Sequence, residues 1–170
     1  AEETGGALIA ERGTYADTSK NTFEANRALQ SGGAIYNDGA NVFVKRSKFI
    51  DNESDWKAGA VYSQQGSFIA SSSLFTGNKA AGMGSVVLIS STHHASLRNC
   101  TVALNGITLS QATGKDKGIS AVENTTLGLY NNIIVSNHEM EVVSDGDIFS
   151  DDSSMVEAAY NVCSLAGTGN

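Results

Sequence analysis

A four-residue pattern returns at a fixed interval along this chain, and that interval constrains the fold more than any other feature. Phe23-Glu24-Ala25-Asn26, Phe49-Ile50-Asp51-Asn52 and Phe75-Thr76-Gly77-Asn78 follow one another at spacings of 26 residues. Degenerate copies continue the series at Val102-Ala103-Leu104-Asn105 and Ile134-Val135-Ser136-Asn137. A second motif runs in step: Gly5-Gly6-Ala7-Leu8, Gly32-Gly33-Ala34-Ile35, Ala58-Gly59-Ala60-Val61 and Met83-Gly84-Ser85-Val86, with Gly118 in the equivalent place of the fifth unit. From the second glycine to the closing asparagine the distance is 20, 19, 19, 21 and 19 residues. Two unrelated motifs in one register identify a repeat protein, whose units bury their apolar faces by stacking.

Between the motifs the units align position by position. Val42, Phe68, Ala95 and Leu127 share one column, and Val44, Ala70, Leu97 and Leu129 share the column two residues on. Apolar residues at alternate positions mean strands with one buried face. A third column, Asn21, Ser47, Ser73, Cys100 and Asn132, stays small and polar. Helical periodicity is absent, and Gly, Asn and Asp punctuate every unit.

Short strands with a fixed period and one inward face bury themselves if each unit winds one coil. The expected fold is all-β, a right-handed parallel β-helix of about five to six coils, forming a single domain over residues 1–170 with an acidic C-terminal cap at 138–170. Phe23, Phe49 and Phe75 should stack inside it. The asparagine column (Asn26, Asn52, Asn78, Asn105, Asn137) should sit at one turn of every coil, where an amide bonds the backbone and tolerates a left-handed conformation. Composition agrees: Gly (18), Ser (21) and Asn (14) make 53 of 170 residues, 41% of the chain is apolar, and proline is absent.

The net charge of −7 is unevenly placed. Residues 1–117 hold all 11 Lys and Arg against 10 acids, whereas 118–170 hold eight acids and no base, which argues against nucleic acid as a partner. No apolar run approaches the ~20 residues of a membrane span. The first residues lack the basic start and apolar centre of a signal peptide, so secretion would imply a leader already removed. Cys100 and Cys163 show no CxxC spacing. Cys100 is expected to be a buried reduced thiol, and Cys163 to lie at the chain exit, beyond the last full repeat.

The paired GGA[ILV] and FxxN motifs resemble the repeats of the chlamydial polymorphic outer membrane proteins. The segment GGAIYNDGANVFVKRSKFIDN is similar to coils of many bacterial surface β-helix proteins, and the stretch from Asn131-Asn132-Ile133-Ile134 to Tyr160-Asn161-Val162 resembles their last coil and exit. The resemblance implies an extracellular or cell-surface location and a structural or adhesive role. Related pectin-lyase-like β-helices cleave acidic polysaccharides, so activity must be argued from a site.

A calcium-type lyase needs two or more converging carboxylates and a nearby Lys or Arg. Column by column, Lys45, Ser71, Arg98 and Tyr130 are followed by Arg46, Ser72, Asn99 and Asn131, with no acid in register. Lys45, Arg46 and Arg98 are candidates for a small basic groove taking a uronate or sulfate. Trp56, with Tyr62, is a candidate sugar platform, although Tyr36 and Tyr62 also read as a structural ladder. His93-His94 and the insertion Ile107–Lys117 read as exposed loops. Asp145, Asp147, Asp151 and Asp152 are the residues that could offer oxygens to calcium, and no other cofactor is indicated. The favoured reading is a non-catalytic extracellular module, structural or adhesive, that meets a host surface or a polysaccharide. A polysaccharide lyase or hydrolase is the second reading.

Overall fold

The computed structural model describes residues 4–81, 86–92, 94–107, 118–135, 137 and 148–163. Its strands fall on six levels. The first holds β1 (Leu8–Glu11), β2 (Tyr15–Ser19), β3 (Thr22–Glu24) and β4 (Arg27–Ala28), and the second β5 (Ile35–Asp38), β6 (Asn41–Lys45), β7 (Lys48–Ile50) and β8 (Glu53–Ser54). The third holds β9 (Val61–Gln64), β10 (Ser67–Ser71), β11 (Leu74–Thr76) and β12 (Lys79–Ala80), and the fourth β13 (Val87–Ser90), β14 (Ala95–Arg98), β15 (Thr101–Ala103) and β16 (Gly106–Ile107). The fifth consists of β17 (Ile119–Val122), β18 (Thr126–Tyr130) and β19 (Ile133–Val135), and the sixth of β20 (Ile148–Ser150), β21 (Met155–Ala159) and β22 (Val162–Cys163).

Each strand pairs with the same strand of the next level, in parallel. Three six-stranded sheets and one four-stranded sheet result: β1-β5-β9-β13-β17-β20, β2-β6-β10-β14-β18-β21, β3-β7-β11-β15-β19-β22 and β4-β8-β12-β16. The chain is a parallel β-solenoid. Residues 148–163, within the stretch expected to cap the rod, wind one more level, with Leu127 opposite Val156 and Ile134 opposite Cys163.

Ile35, Val61, Val87 and Ile119 point inward from the first sheet, Val42, Phe68, Leu97 and Leu127 from the second, and Phe49, Phe75, Val102 and Ile134 from the third. The phenyl rings of Phe23 and Phe49 stack at 4.7 Å and those of Phe49 and Phe75 at 4.6 Å, nearly parallel. That separation is the ordinary ~4.8 Å strand spacing, so backbone pairing and ring stacking impose the same rise.

The asparagine column, half-buried at Asn26 and buried from Asn52 onward, bonds in a fixed pattern. Oδ1 of Asn78 accepts from the Asn52 backbone N–H (3.1 Å) and amide Nδ2 (2.8 Å), while Nδ2 of Asn78 donates to the Phe49 carbonyl (3.0 Å) and Asn105 Oδ1 (2.9 Å). Asn26, Asn52, Asn105 and Asn137 take corresponding places. The left-handed residue at this turn is not the asparagine, contrary to expectation. It is the residue before it: Ala25 (φ 52°), Asp51 (51°), Gly77 (68°) and Leu104 (57°). The asparagine itself is not left-handed, and its amide bonds to the coils on both sides. A non-glycine residue in that conformation costs about 1–2 kcal/mol, offset here by the amide bonds.

Ser47, Ser73, Asn132 and Asn161 perform the same service at the turn between the second and third sheets. Asn21 N–H donates to Ser47 Oγ, Ser47 N–H to Ser73 Oγ, Cys100 N–H to Asn132 Oδ1, and Asn132 N–H to Asn161 Oδ1. At the GGA corner of the second unit both glycines are demanding: Gly32 is left-handed (φ 67°) with a Cβ position 2.1 Å from the Ile35 carbonyl oxygen, and a Cβ on Gly33 would lie 2.1 Å from the Gly59 carbonyl oxygen of the next coil.

The motif register slips in the fourth and fifth units. Val87, not Val86, pairs with Val61, and Ile119 pairs with Val87, so Val86 and Gly118 occupy the column of Ala34 and Ala60. The run Val86-Val87-Leu88-Ile89 is apolar on both faces and leaves the phase undetermined in sequence. Both faces are in fact buried there. Leu88 belongs to an outer apolar cluster with Ala58, Tyr62 and Val122, against which Tyr36 and Phe149 pack.

Neither Cys100 nor Cys163 is in a disulfide. Cys100 is buried, which pushes its thiol pKa up. Cys163 does not lie beyond the repeats: it continues the column of Phe23, Phe49, Phe75, Val102 and Ile134. Three outcomes follow for solution measurements. Phe49→Ala should cost about 3–5 kcal/mol in chemical denaturation. Asn78→Leu should cost at least about 2 kcal/mol, because the Asn52 N–H and the Phe49 carbonyl lose a buried partner. The mass of the unreduced protein should show no two-proton deficit, and Cys100 should resist alkylation until the rod is unfolded.

Candidate functional site

Strands that bury alternate side chains must present the others, and on the second sheet the outward set forms three columns. Asp17, Phe43, Ile69, Ser96, Gly128 and Glu157 make the middle column, and Ser19, Lys45, Ser71, Arg98, Tyr130 and Ala159 the column beside it. Lys45 and Arg98 thus share a column but stand two coils apart, about 10 Å by the strand spacing, with Ser71 between them. Arg46 follows at the corner with a left-handed backbone (φ 51°). Trp56 lies between β8 and β9 and is 58% exposed, at a different corner from the basic residues. Tyr62 is only 6% exposed, so the two rings make no shared sugar platform.

Around Arg98 the outer face sinks into a groove of about 290 Å³, floored by Ser96 and Gly128 and bounded by Ile69, His94, Tyr130 and Glu157. Gly128 has an ordinary extended backbone, so no turn requires glycine there. The missing side chain makes room for Tyr130: a Cβ on Gly128 would lie 2.7 Å from Tyr130 Cε2, so the ring would have to shift. The tyrosine ring leans into that space. Its hydroxyl donates to Glu157 Oε2 (3.1 Å) in the next coil. From the preceding coil the Arg98 guanidinium carbon lies 5.0 Å from the ring centroid, a cation–π contact. Three coils therefore contribute one residue each to a connected arginine, tyrosine and carboxylate.

Sequence reasoning placed Arg98 and Tyr130 in one column, as the register has them, but missed Gly128 and Glu157. The signal for Glu157 was present, since Met155-Val156-Glu157-Ala158-Ala159 repeats the alternation of Thr126-Leu127-Gly128-Leu129-Tyr130.

Tyr36 and Tyr62 are register partners on the outer face of the first sheet, with ring centroids 5.6 Å apart. Tyr62 OH donates to Gln64 Oε1 (2.9 Å), and Gln64 Nε2 donates to Tyr36 OH and Asp38 Oδ1 (3.1 Å each). Burial first, then the neighbouring Tyr36 and Glu123 charges, push the Tyr62 phenol up to about 12. It is no base at neutral pH.

Asp151 closes the turn before β21. Its Oδ2 accepts from the Glu123 backbone N–H (2.8 Å), and its Oδ1 from the Ser153 backbone N–H (3.2 Å) and hydroxyl (2.9 Å). Burial would raise its pKa, but these bonds and one from Ser154 hold it below the usual carboxylate value. Asp152 is exposed beside it. Asp145, Asp147, His93 and residues 108–117 lie outside the described residues. Among the described residues no three His, Cys, Asp or Glu side chains gather as a metal site, and no helix is long and apolar enough to cross a membrane.

Residues 22–38 match the family model of the Chlamydia polymorphic membrane protein repeat. The matched segment runs from one FxxN turn through the next GGA corner, and with the parallel solenoid it marks the chain as a polymorphic-membrane-protein-like β-helix. No curated protein and no solved structure matches the chain.

A depressed carboxylate pKa stabilises the fold above the unfolded value, and that contribution is lost as pH falls through the folded value. Wild type should therefore be more stable than Asp151→Ala at neutral pH, and denaturation midpoints of the two should converge as the solution is acidified through the carboxylate range.

Proposed function

We propose that this polymorphic-membrane-protein-like β-helix is a non-catalytic module of a bacterial surface protein, which holds outward side chains on a rigid rod for contact with a host surface or glycan. The observation that supports it best is the match of residues 22–38 to a polymorphic membrane protein repeat, because the matched segment carries the FxxN turn and the GGA corner that join one coil to the next. The chemistry of the coils agrees with a scaffold role. The Asn and Ser columns are spent on inter-coil hydrogen bonds, and the aromatic column is spent on stacking. What remains for function is the outer face, where recognition by a stable scaffold resides.

One observation favours a second reading, polysaccharide cleavage: Arg98, Tyr130 and Glu157 occupy a single groove, bringing a base and an acid together. A lyase of the calcium type would need a further carboxylate there.

Two measurements separate the readings. Beads coated with the folded protein should adhere to cultured epithelial cells more than beads coated with the heat-unfolded chain, and equal adhesion contradicts the module reading. Pectate and alginate incubated with the protein, with and without calcium, should yield no unsaturated product by ultraviolet absorbance. Product formation abolished by Arg98→Ala would replace the module by a lyase.

A further inference from the structure

The groove on the second sheet holds a guanidinium in an unusual position. Arg98 is fixed from one side by the Tyr130 ring, while the only ion pair among the described residues joins Arg27 to Asp55. Stacking occupies the face of a guanidinium and leaves its edge N–H groups available, and those N–H groups match a carboxylate bidentately. The acid of the groove, Glu157, takes the Tyr130 hydroxyl on Oε2, and a carboxylate has a second oxygen that can accept from a ligand hydroxyl. Ile69 supplies an apolar wall at the opposite end of the groove.

We infer that this groove binds a carboxylated sugar at the end of a glycan chain, with Arg98 taking the carboxylate and Glu157 a ring or side-chain hydroxyl. Three features carry it. The groove's volume of about 290 Å³ falls just below the range of ligand sites, about 300–1,000 Å³, and so suits no more than one sugar residue. It is bounded along the rod by Ile69 and Glu157, which suits an end residue better than an internal segment of a polymer. It also depends on a side chain that is absent: in the other coils the Gly128 column carries Asp17, Phe43, Ile69, Ser96 and Glu157, and only at Gly128 can a tyrosine ring lean inward and support the arginine. Arg98 is thus the binding residue, and Tyr130 and Gly128 are positioning residues.

This inference rests on the surface-module reading and names a ligand class for it. The probes are sialyllactose, a glucuronic-acid-terminated disaccharide and lactose, each titrated into the whole protein by saturation-transfer NMR and calorimetry. At least one of the two carboxylated sugars should bind and lactose should not, and the pair of arms identifies which acid the groove prefers. Arg98→Ala should weaken binding about tenfold or more, the scale of a lost charge-assisted pair. Gly128→Ala should also weaken it, although it removes no polar group. Tyr130→Phe, which keeps the ring under Arg98, should retain most of the affinity. Denaturation midpoints of the variants show whether the fold is intact. Binding of neither carboxylated sugar, equal binding of lactose, or binding unchanged in Arg98→Ala overturns the inference. If the sugars fail while the folded rod still adheres to cells, the groove assignment falls and the module reading stands. If adhesion also fails, both fall.

Discussion

The rise of one coil on the next is the constraint from which the rest of this structure follows. Parallel strands set it at about 4.8 Å, and every side-chain column must then pack at that distance. Flat phenyl rings satisfy it by stacking, as Phe23, Phe49 and Phe75 do. Carboxamides satisfy it by bonding edge to edge, as Asn52, Asn78 and Asn105 do. The amides have a further task. A closed coil must turn sharply inside a packed rod, and each turn leaves backbone groups without strand partners. The Asn columns take up those groups: the Phe49 and Phe75 carbonyls bond to Asn78 and Asn105 of the coils that follow. Left-handed residues such as Asp51 and Leu104 are tolerated at these turns because the asparagine after each one is anchored above and below.

Much of this was legible in the chain, because a stacked fold writes its contacts at a fixed sequence offset. The columns of Val42 and Val44, of Phe49 and of Asn52 could be tabulated before any coordinates, and they are hydrogen-bonded or packed partners in the rod. The parts that were not legible share a physical cause. Around Val86–Ile89 both faces of the strand are apolar, so alternation gave no phase and the register was read one residue off. The turn chemistry of amides points to the asparagine as the left-handed residue, whereas here the residue before it takes that conformation and the amide bonds the neighbouring coils. The last level, Ile148–Cys163, is only half legible: its Tyr160-Asn161-Val162 end resembles a last coil, but its acidic charge reads as a cap, and it is the register of Val156 and Ala158 that continues the inward columns.

The same causes explain what could be foreseen of the site. Arg98 is visible as a base in a mapped column, but its environment is assembled from residues about 30 positions apart, Tyr130 and Glu157. The decisive element is a missing side chain at Gly128, and an absent Cβ has no signature in a sequence already rich in glycine. Trp56 stands apart for the reverse reason. A single tryptophan is conspicuous in sequence, yet its corner brings it against neither Lys45 nor Arg98.

If the coil is the unit of this fold, the chain should survive removal of exactly one coil and nothing less. Deleting Glu53–Asn78 removes 26 residues and joins Asn52 to Lys79, its partner's successor in the same column. Far-UV circular dichroism and denaturant unfolding of this shortened chain should show a β-rich, cooperatively unfolding protein of reduced stability. A deletion of half that length from the same point should leave no cooperative transition. A whole-coil deletion that folds no better than the half-coil deletion would contradict the account of a rod built from interchangeable, in-register coils.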